Sequence, residues 1–136
     1  MIHRVVRVQG WTVDFLFAHR RNDEEGVMAC LYEYGAPKEI ARQTREQMDG
    51  APNRGFTFSN SDRRVILTWV GHQSSGAQWV NTTVHELAHI AQAIALDDGM
   101  DPFSEDFAYL CGDISQTVAD ILCTLACDHC RDHLSE

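Results

Sequence analysis

Residues 80–96 read VNTTVHELAHIAQAIAL, and this stretch decides the fold. Val84, Leu87, Ala88, Ala91, Ile94 and Ala95 recur at spacings of three and four, the pattern of a helix with one apolar stripe. Asn81, Thr82 and Thr83 offer capping oxygens at its start, and Asp97-Asp98-Gly99 ends it, so the spacing predicts a helix over 81–97. Within it, His85-Glu86-Leu87-Ala88-His89 sets two imidazoles one turn apart on a single face. At 100° per residue that face lies roughly 140° from the centre of the stripe, so neither histidine is a core residue. With 7 histidines in 136 residues, random order would produce this H-E-x-x-H pattern in roughly 2% of such chains. Two imidazoles so placed can share one zinc ion, with the intervening Glu86 placed to take a proton from a metal-bound water. A rival reading joins Thr83 and Glu86 in a capping box and leaves the histidines as surface residues.

A catalytic zinc needs a third protein ligand. No further histidine follows until His129, which leaves Asp97, Asp98, Asp101, Glu105, Asp106 and Asp113. Asp97 and Asp98 read as the helix end. Asp101-Pro102 or Ser104 can start a new helix, with Phe107, Leu110, Cys111, Ile114, Val118, Ile121 and Leu122 as its buried stripe. Glu105 then falls in the first turn, where two helices joined by a short turn can bring it beside the histidines. Asp101 and Asp106 are the next choices. Glu105 in that position also complements the helix dipole with no metal role.

Upstream, residues 3–8 and 11–17 alternate or are rich in aromatic and β-branched side chains. They read as two strands, or as one bent at Gly10. Asp23 is placed to cap a helix over 24–34, closed by Gly35. Pro37 opens a second, highly charged helix over 38–48, closed by Gly50. After a turn at 51–54, residues 55–60 and 63–69 form a hairpin about Ser61-Asp62. GHQSSGAQ at 71–78 reads as a polar loop. From residue 81 onward the chain is helical, with one break. Strands first and helices last predict one α+β domain over 1–136, a small, mostly antiparallel sheet covered on one face. Its parts are strands and helices over 1–54, the hairpin at 55–69, the HExxH helix and a helical part at 102–133.

The pattern HExxH followed by Glu105 at the head of a helix resembles the gluzincin branch of the zincin metallopeptidases, its minimal single-domain members above all. SEDFAYLCG at 104–112 is similar to the glutamate helix of small zincin-like proteins encoded by phages and mobile elements. The resemblance spans about residues 55–125. It implies a sheet over an active-site helix and zinc held by His85, His89 and Glu105. It also implies Glu86 as general base and proton donor in hydrolysis of a peptide or protein substrate. Many gluzincins carry an aspartate where Tyr109 stands. Tyr109 is then placed to hydrogen-bond a ligand, to stabilise an oxyanion, or simply to pack. The alternative is a catalytically silent accessory protein that keeps the fold.

The formal charge of −9 argues against a nucleic-acid or anionic-membrane partner. Carboxylates rimming the cleft would favour a basic or extended peptide. Five cysteines and no secretory pattern predict reduced thiols and a cytoplasmic setting. Cys127-x-x-Cys130 and His129-x-x-x-His133 match a second zinc site, but Cys123, Cys127 and Cys130 continue an apolar stripe and read as packing. Cys30 and Cys111 are core candidates. His72, in the loop before the site helix, is placed to line the cleft but reads better as a solvated loop histidine, and Trp69 and Trp79, which flank that loop, suit the core better than a substrate wall.

Overall fold

The computed structural model describes residues 1–18, 23–49 and 51–133. Nine elements follow in chain order: β1 Ile2–Val8, β2 Trp11–Phe17, α1 Glu24–Glu33, α2 Lys38–Met48, β3 Gly55–Asn60, β4 Val65–Val70, α3 Gly76–Asp98, α4 Glu105–Ala126 and α5 Asp128–His133. The sheet runs β1-β2-β4-β3. β1 and β2 pair antiparallel, as do β3 and β4, and the central β2–β4 pair is parallel. This is the expected α+β class with a small, mostly antiparallel sheet.

Gly10 separates two strands and does not bend one. Gln9 and Gly10 both take positive φ, 48° and 81°, the backbone of a tight two-residue hairpin turn. The β3–β4 connection is two residues longer than the sequence suggests. Arg64 takes φ 51° and its guanidinium turns away to Asp97, Asp98 and the Trp11 ring. Gly50, expected to close α2, lies outside the described residues. Asp23 stands at the start of α1 without a side-chain capping bond. Its carboxylate lies 3.8 Å from the Met1 amino group.

The sheet is covered on both faces, not one. Val13, Phe15, Phe17, Ile66 and Val70 point to α3 and α4, where Ile90, Ile94, Ile114 and Val118 complete one core. Leu16, Leu67 and Trp69 point the other way, onto Val27, Met28 and Leu31 of α1 and Met48 of α2. The period-two alternation of β2 and β4 is therefore apolar on both sides, as central strands require. Trp69 and Trp79 are both core residues. Buried Asp14 is satisfied by His3 Nε2 at 2.5 Å and Tyr34 Oη at 2.7 Å. Burial, with Asp14 beside it, pushes the Tyr34 phenol well above its ordinary pKa. Cys123, Cys127 and Cys130 are exposed. The packing expectation fails for Cys123 because it lies on the face of α4 turned away from buried Ile121 and Leu125, and for Cys127 and Cys130 because α4 ends at Ala126. No helix among the described residues is long and apolar enough to cross a membrane.

α3 begins at Gly76, not at residue 81. Ser75 caps it by accepting from the Gln78 N–H, so the end of the polar loop is already helix. Gly76 is required there by packing, because a Cβ at this position would overlap the Ala126 carbonyl oxygen at the end of α4. Gly76→Ala is therefore expected to destabilise by about 1–3 kcal/mol in urea unfolding, against the helix propensity gained. Gly26 in α1 has nothing within 4 Å of such a Cβ, and Gly26→Ala is expected to stabilise by about 0.5–1 kcal/mol.

Candidate functional site

α3 lies over the β3 and β4 side of the sheet, while α4 lies beside it toward β1. The buried stripe of α3 is turned slightly from the sequence expectation. Thr83, Glu86, Leu87 and Ile90 are buried, whereas Val84 is exposed. That rotation presses Glu86 against the sheet and sets His85 and His89 over the edge strand β3. Together with Gln47 of α2, they open onto a cleft of about 360 Å³ floored by Gly55, Thr57 and Ser59.

The two imidazoles meet edge to face, with Nε2 atoms 3.2 Å apart. Two nitrogen lone pairs at this distance need a proton on one ring or a shared cation between them. Glu86 is 3% exposed. Its Oε2 accepts from Thr57 Oγ1 at 2.7 Å, and its Oε1 lies 3.9 Å from His85 Nε2. A carboxylate oxygen only accepts, so the Thr57 proton points to Glu86 and the Thr57 oxygen takes the proton of Thr68, 3.2 Å away. Thr57 and Thr68 are directly opposed on β3 and β4. The sheet thus fixes one oxygen of Glu86 and leaves the other beside the histidines.

Thr57 and Thr68 carry no mark in the sequence beyond strand propensity. Gly55 has a comparable hidden role: a Cβ there would meet Thr82 Cγ2 at 3.0 Å and Glu86 Cγ at 3.2 Å, so glycine lets the edge strand approach the helix. The capping box is not formed. Thr83 and Glu86 lie in the third and fourth turns of a helix that starts at Gly76. Thr57→Val removes one hydroxyl at constant volume and leaves a buried carboxylate oxygen unpaired. A stability loss of about 1–3 kcal/mol is expected in urea unfolding. Most of it should vanish in a Glu86→Gln background, where the unpaired charge is gone.

Glu105 and Tyr109 stand apart from this cluster. Ser104 caps α4 by accepting from the Phe107 N–H, so Glu105 is in the first turn as expected. It is exposed, and Tyr109 is 66% exposed. The physical reason is helix register. Gly76 packs on Ala126, so the antiparallel helices place His89 level with about residue 113, and Glu105 about 12 Å farther along the axis. The sheet contact of α4 is with β1, the edge opposite the histidines. Asp97 and Asp98 pair with Arg64.

Two zinc–imidazole bonds of about 2.05 Å at a tetrahedral angle separate their nitrogens by about 3.3 Å. The 3.2 Å between His85 and His89 Nε2 therefore fits zinc as two of its ligands. Among the described residues no group of three histidine, cysteine, aspartate or glutamate side chains can hold a metal, at this site or in the C-terminal tail. The fit is that of a two-histidine half-site. His72, in the loop before α3, is exposed and lines no part of the cleft.

No family model matches the chain, and no curated protein or solved structure matches it.

Proposed function

We propose that the chain is a zinc-dependent peptidase of the gluzincin kind, with His85 and His89 holding the metal and Glu86 moving the proton. The observation that carries this reading is the junction of the two Nε2 atoms at 3.2 Å beside a buried carboxylate, at the mouth of an open cleft. Bound zinc supplies Lewis acidity and brings the pKa of its water toward about 7. The residues of the chain do the rest. Thr57 ties down Glu86 Oε2, so Oε1 is the oxygen that accepts a proton in the cleft. The edge strand β3 and α3 form the two walls between which an extended peptide fits. This reading leaves Glu105 and Tyr109 out of the site.

The second reading is a zincin-fold accessory protein without activity. The position of Glu105 favours it, because zinc hydrolases use three protein ligands and only two converge here. Digestion of a mixed peptide library decides between the two. New termini that appear with zinc and disappear with a chelator support the peptidase. An unchanged library, with zinc bound, supports the accessory protein.

A further inference from the structure

Beside the histidine cleft lies a second recess of about 300 Å³, sharing Gln47, Gly55, His85 and Glu86 with it. Its remaining wall is Asn53, Arg54, Gln78, Asn81 and Thr82. The chain carries 20 acidic residues, yet among the described residues Glu86 is the only carboxylate lining either recess, and its Oε2 is committed to Thr57. The condition that would favour a basic peptide, a rim of carboxylates, is not met among the described residues. The recess has one cation and several carboxamides instead.

Arg54 is unusual in this molecule. Every other arginine among the described residues donates from its guanidinium, to a carboxylate, a carbonyl or a hydroxyl. The Arg54 guanidinium donates to none of them, and neither do the carboxamides of Gln47, Gln78 and Asn81. The backbone beneath is firmly held. The Arg54 carbonyl accepts from the Gly71 N–H at 2.9 Å and from Gln73 Nε2 at 3.2 Å, while Gln73 Oε1 accepts from Thr82. A planar cation with five free N–H groups, ringed by amide donors on a fixed support, matches the two oxygens of a carboxylate.

We propose that this recess is a specificity pocket for a carboxylate, and that the preferred peptide carries an acidic group close to the bond that lies over Glu86. The inference rests on the peptidase reading for the words "close to the bond" and on the recess alone for the carboxylate. Both a glutamate side chain and a free chain end present the required group.

Binding to the full chain carrying Glu86→Gln, followed by amide NMR, tests it without turnover. The probes are alanine hexapeptides, acetylated and amidated, with a central glutamate, glutamine or lysine, and an uncapped alanine hexapeptide. The glutamate peptide is expected to bind about tenfold more tightly than the lysine peptide and to shift the amides of Gly55, Gln78 and Asn81. Arg54→Ala should abolish the preference, and Arg54→Glu should reverse it. If the uncapped peptide matches the glutamate peptide, the pocket accepts a chain-end carboxylate, which also supports the proposal. Equal affinity for glutamate and lysine peptides, or a preference that survives Arg54→Ala, overturns it. Cleavage by the wild-type chain without that preference sinks the pocket and leaves the peptidase. Arg54-dependent binding without cleavage does the reverse.

Discussion

Glu86→Gln is expected to lower peptide hydrolysis by about 10²–10⁴-fold while the fold remains intact. The amide has the shape of the carboxylate, and its oxygen can still accept from Thr57, whose hydroxyl lies 2.7 Å from Glu86 Oε2. The NH₂ group then falls on the Oε1 side, toward His85. There it offers a donor where hydrolysis needs an acceptor. Among the described residues Glu86 is the only carboxylate lining the cleft, so none of them replaces it. A neutral amide also costs less to bury than a charge, so urea unfolding should show no loss of stability. Initial rates on one cleaved peptide, with wild type and variant at equal zinc loading, provide the check. Undiminished rates in the variant would remove Glu86 from the chemistry.

Much of this site was legible in the chain. The histidines at spacing four, outside an apolar stripe, could only project from another face of the helix, and both are exposed. The β3–β4 hairpin and the strand character of 3–8 and 11–17 came from local pattern alone. What local pattern missed was set by contacts distant in sequence. The parallel β2–β4 pairing joins residues 12–17 to 65–70, and no turn chemistry announces such a pair. Gly76 reads as a loop residue until Ala126 is packed on it. Thr57 and Thr68 read as ordinary strand threonines until Glu86 is pressed against them. Arg54 belonged to a turn, and its importance comes from the pairing of the other arginines.

Glu105 teaches a different lesson. It stands at the head of α4 as the capping pattern predicts, yet it does not line the histidine cleft. The helix carrying the histidines continues to Asp98 and closes with Gly99 at φ 69°. The chain reverses only after that, so the first turn of α4 stands beside the last turn of α3, beyond His89. The expected helix end at residue 97 already contained this constraint.

The second large effect concerns the metal. A pair of imidazoles whose Nε2 atoms face each other at 3.2 Å is preorganised for a shared cation, and removing either ring leaves one ligand, too few to hold zinc in a protein. His85→Ala and His89→Ala are therefore each expected to abolish binding. Both rings are exposed, so folding should survive. Glu105→Ala is expected to leave zinc binding unchanged, as is the pair Cys127→Ser and Cys130→Ser, which controls for the exposed thiols of the tail. The most direct measurement is a zinc titration of the untagged, metal-free chain against a chromophoric chelator. One equivalent bound by the wild type and lost in each histidine variant is the expected result. No zinc bound by the wild type, or binding that persists without His85 or His89, would contradict the account.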